Sequence, residues 1–146
     1  MNSTDIAEAR FNDGYSCAQA VFSALAERWK IDAEVSLRVS AGFGGGIARS
    51  AGTCGCVTGA IMALGLMQEG VDPTANRAQK EQTYQVCRQF MRTFQERNGS
   101  TLCSELLGCD ISTPEGQAVH RQGMHRALCT KLVRDAVEIV ESTQVV

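Results

Sequence analysis

The chain has 146 residues, 44% of them hydrophobic and 21% charged, with a formal net charge of −2 at pH 7. That length fits one domain, residues 1–146, with enough chain to bury an ordinary core, and the composition is that of a soluble globular protein. So balanced a charge gives no reason to expect a nucleic-acid or anionic-membrane partner. Seven cysteines are present, an odd number that cannot all pair within one chain.

The first residues, Met1 to Glu8, are polar and acidic, with no basic n-region or apolar h-region, so no signal peptide is read and a cytoplasmic location is expected. There, stable disulfides are rare and cysteines more often bind metal or do redox work. A short helix is expected from about Ser3 to Asn12, breaking at Asp13-Gly14. Ser16-Cys17-Ala18-Gln19 is a capping-box pattern, followed by an apolar face at Ala20, Val21, Leu25 and Trp29. Asp32 is placed to cap a third helix through Val35, Leu37 and Val39, which ends in the loop Gly42-Phe43-Gly44-Gly45-Gly46. These glycines follow no strand and lack the spacing of a dinucleotide or phosphate loop, so they read as a flexible connection and no nucleotide is expected.

Cys54 to Met67 is almost wholly apolar or small, which predicts a central helix buried on every side, where Gly55, Gly59, Ala60 and Ala63 admit close neighbours. Its longest apolar run, Ala60 to Met67, is too short to span a bilayer. From Pro73 to Asn98 the pattern is a long amphipathic helix with Tyr84, Cys87, Met91 and Phe94 on one face and a stop at Asn98-Gly99. A short helix follows Cys103 and ends near Gly108, and Thr113-Pro114-Glu115 begins another. The last helix carries Cys129, Leu132, Val133, Ala136, Val137 and Val140 on one stripe. Strand-like alternation is absent. The expected fold is all-α, a compact multi-helix bundle around a buried central helix.

Several cysteines begin or flank helices, where unpaired backbone N–H groups and the positive end of the macrodipole favour a thiolate. Thiolates are redox nucleophiles and soft-metal ligands. Cys17, Cys54, Cys56 and Cys103 have such contexts, whereas Cys87 lies inside an apolar stripe and reads as core. Cys129 opens its stripe and Cys109 follows a cap glycine, and both stay open between packing and chemistry. No C-x-x-C occurs, which removes a thioredoxin-type dithiol, and no C-x-x-C-H, which removes covalent haem. His125 and Cys129 share a helix face, a spacing compatible with two metal ligands, but His120 and His125 read as solvated polar positions. No Ser/His/Asp arrangement is legible, and nothing points to a hydrolase or transferase.

Asp13-Gly14-Tyr15-Ser16-Cys17-Ala18-Gln19-Ala20-Val21 and the run from Thr53-Cys54-Gly55-Cys56-Val57-Thr58-Gly59-Ala60 through Leu66 resemble the C_GCAxxG_C_C family, whose members are described as redox-active. Asn98 to Gly108, with Cys103 inside it, and Cys129-Thr130-Lys131-Leu132-Val133 continue the match, so the resemblance spans nearly the whole chain. It implies that Cys17, Cys54, Cys103 and Cys129 are the family's four characteristic cysteines. Many members have Cys-Gly-Ala where this chain has Cys54-Gly55-Cys56, which makes Cys56 an extra thiol; Cys87 and Cys109 also fall outside the pattern. The same domain is similar to the iron–sulfur-associated part of split-Soret cytochrome c, without its haem-attachment residues.

Three functions follow as expectations. In the first, Cys17, Cys54, Cys103 and Cys129 hold an iron–sulfur cluster or other metal for electron transfer or redox sensing with an unidentified partner protein. In the second, a metal-free thiol–disulfide protein cycles two of Cys17, Cys54, Cys56, Cys103 and Cys129. In the third, the cysteines are packed and the apolar Cys54 to Met67 helix serves a protein partner or homodimer. The first expects the four family cysteines to converge, lined by Gly55 and Gly59 and approached by the Gly42 to Gly46 loop. It places Cys87 apart, among Tyr84, Met91 and Phe94. Cys56, about 200° round a helix from Cys54, should face away unless the backbone there is not helical.

Overall fold

A computed structural model describes residues 1–68 and 76–143. These form an all-α domain of α1 (Ser3–Asn12), α2 (Cys17–Ala26), α3 (Ala33–Val39), α4 (Gly55–Met67), α5 (Asn76–Asn98), α6 (Cys103–Leu107), α7 (Pro114–His120) and α8 (Gly123–Ser142). The expected start of the long helix at Pro73 lies outside the described residues. No helix among those described is long and apolar enough to cross a membrane.

Local chemistry sets most of the boundaries. Asn2 caps α1 through its side chain, and Gly14 ends that segment at φ +108°. Ser16 and Gln19 form the complete capping box of α2: Ser16 Oγ accepts from Gln19 N at 3.2 Å, and Gln19 Oε1 accepts from Ser16 N at 3.0 Å. Asp32 caps α3, Thr113 caps α7 with Pro114 at its first position, and Gly108 closes α6 at φ +68°.

The core lies where α4 packs on α2, α5 and α8. α2 is as enclosed as α4, with Ala18 and every residue from Ala20 to Ala26 buried. It ends before Trp29, which sits in a 3-10 turn and is only partly buried, so the apolar face expected to reach Trp29 stops short. Two glycines let the helices meet at backbone distance. A Cβ on Gly55 would lie 2.9 Å from Ala18 N, and one on Gly59 would lie 2.8 Å from Ala18 O. On α5 the buried residues are Val86, Phe90 and Phe94, with Cys87 and Met91 partly covered, while Tyr84 is 49% exposed. Of the expected stripe, Phe94 is fully inside, Cys87 and Met91 lie at its edge and Tyr84 is not in it; Val86 and Phe90 take the buried places instead. α3 departs similarly: Val35 and Val39 are exposed, and Ser36 and Ser40 face inward with their hydroxyls bonded to Asp32 O and Ser36 O. The α8 stripe is buried at all six expected positions.

Candidate functional site

Each of the four family cysteines comes from a different element. Cys17 is the first residue of α2, placed by the Ser16 cap. Cys54 is the N-cap of α4 with φ −56° and ψ 137°, so the backbone at this point is not yet helical. Cys103 begins α6, and Cys129 lies in the second turn of α8. An antiparallel bridge between Thr53 and Leu102 ties the starts of α4 and α6 together, with Cys54 N donating to Thr101 O at 2.8 Å and Cys103 N donating to Gly52 O at 2.7 Å. Nothing in the pattern of either segment marks this bridge, which makes Cys54 and Cys103 neighbours.

The four cysteines line one cavity of about 50 Å³, together with His120, Gly45, Gly46 and Gly55 and an apolar wall that includes Leu107, Ile111 and Leu132. One water needs about 10–15 Å³ measured this way, so the chamber has room for a small group rather than a single solvent molecule. Gly59 is not at the chamber; it serves the α2–α4 contact. Among the described residues, no three of His, Cys, Asp and Glu are placed to hold a single metal ion. The four cysteines line a space rather than close on a point.

The thiols divide sharply in acidity. Thiol hydrogen bonds from Cys129 and then Cys56 hold Cys17 well below the ordinary cysteine range, helped by the charge of His120 and its own backbone N–H, and opposed by burial. Cys129 is driven far up, because donating to Cys17 requires it to keep its proton, and burial adds to this. Cys56 is raised well above its usual value by hydrogen bonds to Cys17 and Cys54 and by burial. Burial, with the charges of Cys54, Cys17 and Cys109, pushes Cys103 up to about 12. Cys17, at a helix N-terminus, is thus the acidic thiol, beside Cys56, Cys103 and Cys129, which hold their protons more tightly than usual.

Cys56 is fully buried in the main core and does not line the chamber, yet it is near enough to Cys17 and Cys54 for them to raise its pKa, since the extended backbone at Cys54 means the helical 200° offset does not apply. Cys87 lies apart, partly buried against the main core, and only burial shifts it. Cys109 sits beside the chamber's apolar wall, its Sγ donating to Gly116 O at 3.7 Å and lying 4.0 Å from His125 Nδ1. His125 therefore faces Cys109, and the sequence pairing of His125 with Cys129 does not describe the site. His120, expected to be solvated, lines the chamber with its Nδ1 buried and without a hydrogen-bond partner among the described residues. Its signal was concealed because α7 reaches the chamber only through tertiary packing. Gly116 permits that packing, since a Cβ there would fall 1.8 Å from Asp110 O.

The glycine loop is a wound turn rather than a slack connection. After the 3-10 turn Ala41–Phe43, Gly45, Gly46, Ile47, Ala48, Arg49 and Ala51 all have φ between +50° and +71°. Backbone bonds Ala48 N to Gly42 O, Ala51 N to Gly45 O and Gly52 N to Gly46 O, at 2.9 to 3.1 Å, close it. Left-handed backbone costs a non-glycine residue roughly 1–2 kcal/mol, and most for a β-branched one such as Ile47. Four consecutive or near-consecutive strained residues beside the thiols are held by their surroundings, a concentration of strain typical of functional sites.

An all-α domain with four thiols from four elements around one small chamber defines a cysteine-centred helical protein. A family profile described as "Putative redox-active protein (C_GCAxxG_C_C)" matches residues 15–143, and the chain belongs to that family. It is also 30% identical over 139 residues to an uncharacterised protein of Archaeoglobus fulgidus, covering 90% of this chain and 86% of that one. No solved structure matches.

Proposed function

We propose that the protein is a cysteine-based redox protein in which Cys17, Cys54, Cys103 and Cys129 hold an iron–sulfur cluster for electron transfer or redox sensing. The observation that supports this reading is the single chamber lined by all four cysteines. The unpartnered, buried Nδ1 of His120 at the same chamber adds a further donor, so the donor chemistry suits a soft multi-atom group rather than a single metal ion. Such a group, when bound, supplies reversible one-electron exchange. The chain's own part is to bind, to exclude water and to tune. Leu107, Ile111 and Leu132 lower the local dielectric, and the N-termini of α2 and α4 direct positive potential at sulfur, which favours the reduced state. Anaerobic reconstitution with iron and sulfide tests the reading. A coloured protein with stoichiometric iron and acid-labile sulfide is expected; a colourless one with neither removes it.

One observation favours a second, metal-free reading. Cys129 and Cys56 hold Cys17 below the ordinary cysteine range, so an acidic thiol and two resolving candidates stand together. Loss of two free thiols on mild peroxide treatment, with Cys17 in the recovered disulfide peptide, is its expected signature. Unchanged thiol counts exclude it.

A further inference from the structure

A second, larger cavity opens beside the thiol chamber. It encloses about 650 Å³, within the ~300–1,000 Å³ range of small-molecule sites. Cys17, Gly45, Ile111 and His120 line both spaces, so the two adjoin at Cys17. Three guanidinium groups, Arg49, Arg121 and Arg126, line the larger cavity, and no aspartate or glutamate does.

That concentration is unusual for this chain, whose net charge is −2. Arg10, Arg28, Arg38, Arg97 and Arg134 each pair with a carboxylate, and Arg88 and Arg92, which have no such partner among the described residues, lie apart on α5. Arg49, Arg121 and Arg126 have no acidic partner among the described residues. Arg126 is nonetheless held in place: its Nη2 donates to Phe11 O at 3.3 Å and Asn12 O at 3.2 Å, and its guanidinium lies 5.1 Å from the Phe11 ring centroid. Arg49 belongs to the left-handed turn, so its position is maintained against backbone strain. Three like charges gathered round one concavity repel each other, and their fork-shaped donors match planar oxyanions.

We propose that this cavity binds a small organic or inorganic dianion, a phosphate or a dicarboxylate, seated against Arg49, Arg121 and Arg126. As the substrate or effector class of the redox site it rests on the reading above; as a binding site it does not.

Calorimetric titration of the full chain at pH 8, as purified and after reconstitution, tests it with two probes, inorganic phosphate and succinate. Saturable one-to-one binding of either probe is expected, weakened by added salt, with phosphate alone or succinate alone identifying the source of the charge. Arg49→Ala with Arg121→Ala should weaken binding at least tenfold, and so should the polar pair Arg49→Gln with Arg121→Gln, which keeps the polar surface should the alanine pair unfold. Arg38→Ala, which removes an exposed arginine paired only with Glu34 on α3, should leave it unchanged. No saturable binding of either probe, or equal affinity in the Arg49/Arg121 variants, overturns the proposal. A colourless reconstitution with intact anion binding removes the cluster reading alone; a coloured protein without anion binding removes this one alone.

Discussion

Two glycines of α4 invite the same substitution with opposite outcomes. Replacing Gly65 by alanine adds a methyl into open space, with no atom within 4 Å, and gains the helix propensity of alanine, about 0.8–1.0 kcal/mol. Replacing Gly59 gains the same propensity but puts the new Cβ 2.8 Å from Ala18 O and 3.3 Å from both Ala18 Cα and Phe22 N. Carbon and carbonyl oxygen meet comfortably at about 3.3 Å, so α2 must retreat by roughly 0.5 Å. Its backbone has no rotamer to yield, and overpacking of this kind costs about 1–3 kcal/mol. Propensity cancels between the two variants, so their difference isolates the packing cost. For a chain of this size each kcal/mol moves the melting temperature by about 2–4 °C, which separates the two by roughly 2–12 °C. Thermal melts followed by circular dichroism, with urea unfolding at constant m, give the comparison. Equal stability of Gly59→Ala and Gly65→Ala would refute the claim that α2 and α4 touch at backbone distance.

Gly116→Ala should be more damaging, at or beyond the upper end of that ~1–3 kcal/mol range, because its Cβ would overlap Asp110 O at 1.8 Å; increased proteolysis between residues 110 and 120 reports it. Ser16→Ala should cost about 1 kcal/mol in urea unfolding by removing one arm of the α2 capping box. Ile47→Gly should raise stability by up to about 1 kcal/mol, since Ile47 is exposed at φ +71°; a lower urea midpoint would show the turn to be unstrained. In iron-free protein, iodoacetamide should label Cys17 before Cys103 and Cys129. A lowered pKa keeps the thiolate as pH falls below the usual cysteine range, so the Cys17 rate should persist there, and peptide mapping that finds Cys103 labelled first contradicts the assignment.

The elements legible in the sequence were those fixed locally. Asn12 to Gly14, Ser16 with Gln19, Asp32, Thr113-Pro114 and Gly108 set boundaries by capping chemistry, which needs only neighbours in the chain. The α8 stripe was legible because all six apolar positions face one core. Tyr84 misled because an aromatic side chain fits a core stripe and a partly exposed position equally well, and Val86 and Phe90 settle the face only once α5 is docked. Family resemblance grouped four cysteines, but their approach depends on the Thr53–Leu102 bridge, which no periodicity announces. His120 is concealed for the same reason, and the closeness of Cys56 to Cys17 and Cys54 because regular helical spacing does not hold across the extended start at Cys54. The left-handed turn was hidden because Ile47, Ala48 and Arg49 are not residues that predict positive φ.

The central claim is that Cys17, Cys54, Cys103 and Cys129 act together as the ligands of one redox group. Iron and acid-labile sulfide, measured per chain after anaerobic reconstitution of five single serine variants, test it most directly. Replacement of Cys17, Cys54, Cys103 or Cys129 should each reduce bound iron and sulfide severalfold, whereas Cys87→Ser, set apart on α5, should load like the unaltered chain. Equal loading in all five, or a loss confined to Cys87→Ser, would contradict the account.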